Sequence, residues 1–362
     1  MLWRFYDLTP TNAAFSNSKI IAVSRIPNSL EVWWVGADGS VQGAKWYEGM
    51  DHWDRYALAP AGSAALSGGL TVVSRIPNSL EVWWVGADGS VQGAKWYEGM
   101  DHWDRYALAP AGSAALSGGL TAVSRIPNSI EMWWIGTDGS VQGAKWYEGM
   151  DHWDRYTLAP AGSAALSGGL TAVSRIPNSI EMWWIGTDGS LQDAYWYEGM
   201  DHWDRYALAP AGSAALSSGL AAVSRIPNSL EIWWVGADDS VQGAQWYEGM
   251  DHWDRYALAG AAAPGGGLTA VSRIPGSLAV FWITVEISTP LGTGSSVRGA
   301  EWDEGKIWQD DMVANGIAAP GGGLAAVSRI PNSLEMWWIG ADGVVRAAKW
   351  YEGDIDKSLP PH

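Results

Sequence analysis

The chain has 362 residues, 47% of them hydrophobic, with 27 Trp against 3 Phe and no Cys. A formal charge of −17 with only 22 Lys and Arg argues against nucleic acid and anionic membranes as partners, since both demand clustered positive charge. The absence of cysteine excludes disulfides and thiolate metal sites, and no apolar run reaches the length of about 18 residues that a membrane span needs.

In chain order, the opening MLWRFYDLTP lacks the charged-then-apolar pattern of a secretory leader. The chain is therefore expected to be cytoplasmic, or exported by a route that needs no such leader. From Trp3 to Pro10 it reads WRFYDLTP, matching in spacing and residue type the WDRYALAP of Trp53 to Pro60. The first full repeat follows. Its first predicted strand runs into SRIP, where Pro27 and Asn28 suit the central positions of a tight turn. LEVWWVG is the second strand, ADGS a hairpin turn, VQGAKWYEG the third strand and WDRYALA the fourth. PAGSAALSGG then links to the next repeat. Strands two and three are apolar at nearly every position, as expected for a sheet covered on both faces.

Aligning on SRIP puts Arg25, Arg75, Arg125, Arg175, Arg225, Arg273 and Arg329 in register. The first four intervals are fifty residues, the next forty-eight and the last fifty-six, the long one holding the insertion TVEISTPLGTGSS. In the sixth repeat Gly276 takes the slot of Asn28, which predicts a left-handed backbone there. The seventh repeat stops at Asp354 without a fourth strand, and the N-terminal segment supplies one. Four antiparallel strands repeated seven times, with no helical period, describe a β-propeller. The expectation is one all-β domain over 1–362, a seven-bladed β-propeller of four-stranded antiparallel blades, with residues 1–10 closing the last blade.

Repeats six and seven have drifted and show what a blade can lose. The SRIP arginine, Trp34, Trp46 with Glu48-Gly49, and Trp53 persist in all; Glu31 becomes Ala279, Trp33 becomes Phe281, and His52 gives way to Ile307 and Leu2. A lost feature is not required for folding, so Asp51-His52 and its copies are candidates for a site. The SRIP turn and the YEGMDH loop fall at the same end of each blade. The candidate carbohydrate-binding residues are Arg25, Trp33, Trp46, Glu48, His52 and Trp53 in the first repeat, with Arg75, Trp83, Trp96, Glu98, His102 and Trp103 in the second. The third and fourth repeats contribute Arg125, Trp133, Trp146, Glu148, His152 and Trp153, then Arg175, Trp183, Trp196, Glu198, His202 and Trp203. The fifth contributes Arg225, Trp233, Trp246, Glu248, His252 and Trp253. An indole floor ringed by carboxylate, imidazole and guanidinium suits a monosaccharide, whose C–H faces stack on the ring and whose hydroxyls take charge-assisted hydrogen bonds. Structural readings stand beside these. Arg25 and Glu31 flank one turn and could form an ion pair, Glu48 could accept loop N–H groups, and His52 could be a plain surface residue. Trp34 reads as core.

The string LEVWWVGADGSVQGAKWYEG, preceded by AVSR and followed by a fourth-strand Trp, resembles the blade of the seven-bladed bacterial lectins typified by the Photorhabdus lectins. More loosely it is similar to the fungal fucose-specific propeller lectins. The resemblance covers nearly the whole chain and implies sugar sites between adjacent blades, fucose or a related sugar as ligand, and roles for Trp46, Tyr47, Glu48, Trp53 and their copies. The fungal pattern has Arg at the start of the second strand and Glu in the third, where this chain has Glu31 and Gly43. The sugar stays open.

The favoured reading is a multivalent lectin that binds cell-surface or soluble glycans, with no catalytic residues, no cofactor and no metal; one His per repeat cannot gather three strong ligands. A homo-oligomer is compatible with it. The alternatives are a protein-interaction propeller without sugar affinity, and a glycoside hydrolase built on Glu48 with Asp51 or on Asp303, Asp310 and Asp311, which only the sixth repeat carries.

Overall fold

The computed structural model describes residues 3–352, apart from 286 and 290–291. Met1, Leu2 and Asp354, which enter the expected ring closure, lie outside the described residues, as does part of the sixth-repeat insertion. The described chain is all β-strand and turn, and no helix is long and apolar enough to cross a membrane.

Seven antiparallel sheets follow one another, numbered here as blades 1 to 7. Blade 3 is representative, with strands Leu120–Val123, Ser129–Ile135, Val141–Tyr147 and Asp154–Ala159 paired in that order. Its first strand is shorter than LTAVSRI suggested. The hydroxyl of Ser124 turns back onto the Ile126 carbonyl at 2.9 Å, so SRIP already belongs to the turn. Asn128 completes that turn at φ +61°, and Gly276 takes the same place at φ +78°. Blade 6 departs from the pattern. Its insertion adds a short strand, Ile287–Thr289, against an elongated third strand, Gly292–Asp303, giving five strands instead of four.

Blade 7 takes its fourth strand from the N-terminus. Arg4–Asp7 runs antiparallel to Val345–Tyr351 with Tyr6 opposite Ala347. The join continues past the strand, since Leu8 N donates to Val345 O at 2.8 Å and Val345 N to Thr9 Oγ1 at 2.9 Å. The fold is a seven-bladed β-propeller closed by its own first strand, as the repeats predicted.

The blades fall into two compact units, one of Met1–Leu66 with Ala261–His362 and one of Ser67–Gly260. In both, every residue of each second strand is buried. Within the second unit Trp133 and Ile135 of blade 3 pack with Met182 and Trp184 of blade 4. Each large apolar side chain removed from water this way contributes roughly 1.5–3 kcal/mol. Successive blades are also tied by backbone, as where Gly119 N donates to Gly168 O at 3.1 Å. A Cβ on Gly119 would stand 2.6 Å from Leu170 N, which is why the linker ends in glycine.

Candidate functional site

Alternation along the strands gives each blade a face turned to the next one. In blade 3 that face carries Glu131, Lys145 and Asp154 in one cross-strand row, and Trp133, Gly143 and Tyr156 in the row beside it. Blade 4 faces them with Trp196, Met200, Asp201, His202 and Trp203. Between the two lies a cleft of about 520 Å³, lined by these blade 4 residues and by Glu131, Lys145, Tyr147, Asp154, Arg155 and Tyr156 of blade 3.

Arg125 joins residues that line the cleft from both blades. Its Nε donates to Glu131 Oε1 at 2.6 Å, its Nη1 donates to Asn178 of blade 4, and its guanidinium lies 5.0 Å from the Tyr147 ring centroid and 4.7 Å from that of Trp196. Tyr147 donates its hydroxyl to Glu131 at 2.8 Å. Arg75 repeats this pattern with Glu81, Tyr97 and Trp146. In the first unit Arg329 does so with Glu335, Tyr351 and Trp46. In these seams the SRIP arginine is a staple, and in blades 1, 2, 3, 5 and 7 it makes the ion pair with the second-strand glutamate that the sequence suggested. Removing one partner of such a buried pair typically costs about 3–5 kcal/mol.

Glu148 is not in the cleft. Its Oε2 accepts Asn128 Nδ2 at 2.9 Å and its backbone N–H donates to Asn128 O at 3.0 Å, clasping the SRIP turn to the following loop. Glu48, Glu98, Glu198 and Glu248 hold Asn28, Asn78, Asn178 and Asn228 in the same way. The second-strand tryptophans Trp33, Trp83, Trp133, Trp183 and Trp233 are fully buried, which removes them from the ligand-facing set. Trp133 donates its N–H to Tyr156 Oη at 3.0 Å beneath the cleft.

Three expected members do line it. Trp203 is half-buried and packs edge-on against Trp133 at 5.8 Å, leaving indole surface toward the opening. His202 is 68% exposed and sits between Asp201 Oδ1 at 2.5 Å and Asp204 Oδ1 at 3.1 Å; the Asp201 hydrogen bond, then the two negative charges, raise its pKa. Trp196 contributes an indole whose N–H is held by Met200 O at 3.0 Å. Lys145, Asp154, Arg155 and Tyr156 were missed by the sequence reading. The signal was present, because the Asp138-Gly139 hairpin turn sets Lys145 opposite Glu131, and directly paired residues share a face.

The copies are not equal. Trp46, in the seam between blades 7 and 1, is fully buried, and there Tyr6 stacks on Trp53 at 6.5 Å. Between blades 6 and 7, Arg273 pairs with Asp303 at 2.7 Å because Ala279 replaces the glutamate. Two further clefts open beside the hairpin turns of blades 4 and 5, about 540 Å³ around Trp184, Gln192 and Arg205 and about 520 Å³ around Trp234, Gln242 and Arg255.

No family model matches the sequence, and no curated protein matches it. Solved structures do match the fold. The BP39L lectin from Burkholderia pseudomallei superposes with a TM-score of 0.81 at 22% identity, covering 93% of this chain and 96% of that one. AofleA from Arthrobotrys oligospora gives 0.61 at 16% identity over 87% and 90%. The Aleuria aurantia lectin, described as a six-bladed β-propeller with a novel mode of fucose recognition, gives 0.58 at 17% over 86% and 99%. At these identities the likeness is one of fold.

Proposed function

We propose that this protein is a multivalent carbohydrate-binding lectin whose saccharide sites are the clefts between adjacent blades. The carrying observation is the cleft between blades 3 and 4, where the Trp203 indole, the Trp196 indole and Tyr147 stand among Lys145, Asp154, Arg155 and His202. Aromatic faces next to exposed charged hydrogen-bonding groups match a sugar ring, which is apolar on its C–H face and polar around its rim. The Burkholderia and Aleuria proteins it superposes on are named as lectins, as is a further match, SapL1, in complex with alpha methyl fucoside, so fucose is the first sugar to test. Repetition has a purpose under this reading, because linked weak sites on a glycan-coated surface gain about 10²–10⁴-fold in avidity.

Binding without turnover is supported by the acids. Each Glu48-type carboxylate is clasped to its turn. In blade 6, Asp303 pairs with Arg273 and Lys306, Asp310 with Arg298, and Asp311 accepts the Trp3 N–H at 3.2 Å. Titration calorimetry against a panel of neutral monosaccharides, with Trp203→Ala as control, tests the proposal. Several sites per chain, one fewer in the variant, are expected. A silent panel together with no red-cell agglutination would overturn it.

A further inference from the structure

Blade 4 breaks the repeat at two positions of its third strand. Asp193 stands where blades 1, 2, 3 and 5 have Gly43, Gly93, Gly143 and Gly243, and Tyr195 stands where blades 1 to 3 have Lys45, Lys95 and Lys145. Both belong to the face turned to blade 5, since Asp193 is in register with Trp183 and Tyr206, and Tyr195 with Glu181 and Asp204.

The glycine elsewhere makes room for a tyrosine. A Cβ on Gly143 would stand 2.5 Å from Tyr156 Cζ. Asp193 has that Cβ and a carboxylate besides, and Tyr206 is accordingly pushed out to 37% exposure. Its hydroxyl no longer meets the indole beneath it. It donates to Asp193 Oδ2 at 3.1 Å and accepts the N–H of Trp253 of blade 5 at 2.7 Å. Asp193 is itself fully buried, and its Oδ1 has no hydrogen-bond partner among the described residues; the same holds for Trp183 Nε1 and Arg175 Nε. Tyr195 completes an aromatic group, 5.3 Å from Tyr197 and 6.2 Å from Tyr206.

The charges change together with the shape. The cleft between blades 3 and 4 sets Lys145 and Arg155 against Glu131, Asp154 and Asp201. Its counterpart between blades 4 and 5 keeps Glu181, Asp204 and the Asp251 that repeats Asp201, exchanges the ammonium for a phenol and adds the Asp193 carboxylate. Burial first, and then the neighbouring Glu181 charge, raises the pKa of Asp193.

We propose that the cleft between blades 4 and 5 is a second class of site, which takes uncharged saccharides on Tyr195, Tyr206 and Trp253 and turns away those that carry a carboxylate, whereas the lysine clefts of blades 2 and 3 accept both. This rests on the lectin reading above. The matched probes are methyl α-L-fucoside and methyl α-L-galacturonide, which share a ring and differ by a methyl or a carboxylate at C5. Calorimetry on the full chain at low salt should count at least one more fucoside site than galacturonide site. Discrimination at the blade 4 cleft should be about tenfold or more and should shrink as salt rises. The double variant Asp193→Gly with Tyr195→Lys narrows the gap between the two counts by one, and Gly143→Asp with Lys145→Tyr widens it by one. Equal counts in the unaltered protein, or fucoside bound with galacturonide bound nowhere, overturn the proposal and leave the lectin reading standing. Neither probe binding, with the wider panel also silent, overturns the lectin reading itself.

Discussion

Replacing Glu181 by glutamine tests the buried acids of blade 4 directly. Glu181 is almost fully buried and, unlike Glu131, makes no hydrogen bond to its arginine, since Arg175 Nε stands unpartnered. Burial, offset in part by the Arg175 charge and the Tyr197 hydroxyl, pushes its pKa from 4.5 to about 7. Because the folded value lies above the unfolded one, the native state keeps a proton that the unfolded chain has already released. Stability therefore falls as pH climbs through this window and is flat above it. Each pKa unit is worth about 1.4 kcal/mol, so the carboxylate costs on the order of 3 kcal/mol above neutrality. Glutamine resembles the protonated acid and cannot ionise. Glu181→Gln should match the unaltered protein near pH 4.5 and exceed it by ~3 kcal/mol at pH 8, a rise of roughly 4 °C in thermal midpoint for a chain of this size. Glu131→Gln in blade 3 should do the reverse at neutral pH, because Arg125 loses a carboxylate at 2.6 Å. Calorimetric unfolding in half-unit pH steps reads both. A Glu181→Gln curve parallel to the unaltered one from pH 4.5 to 8 would refute the reasoning.

Asn128→Ala removes bonds to Glu148 and from Arg75 and leaves a Cβ at φ +61°; denaturant titration should show a loss of about 2 kcal/mol, with Asn128→Gly milder because it keeps the backbone free. Gly143→Ala puts a methyl 2.5 Å from the Tyr156 ring, so a loss of about 1–3 kcal/mol is expected, along with a crystal structure in which Tyr156 swings outward as Tyr206 does. Deleting residues 1–10 bares the edge of Val345–Tyr351; size-exclusion chromatography should show the truncated chain associating beyond the state of the unaltered protein, and an unchanged elution volume would contradict the closing role of that strand.

The architecture was legible because a fifty-residue period and a divided final repeat leave few folds open, and because turn signals such as Asn28 and the Asp-Gly pairs act locally. The site was legible only in part. Trp33 and Trp34 sit on strands apolar on both faces, where alternation cannot say which ring meets water, and both are buried. Arg25 and Glu48 have the charges a sugar would use, and the sequence offered a structural partner for each; the fold pairs Arg25 with Glu31 and clasps Glu48 to Asn28. Asp193 and Tyr195 were visible as departures from a near-perfect repeat. Their meaning needed the cross-strand pairs with Trp183, Tyr206 and Glu181, which place both on the face turned to blade 5.

A crystal of the full chain soaked in methyl α-L-fucoside and a panel of related monosaccharides tests the central claim most directly. Sugar rings stacked on Trp203 and its counterparts, in several seams of one molecule, are the predicted result. Empty clefts at saturating sugar, or a ligand held in a single unrepeated place, would contradict it.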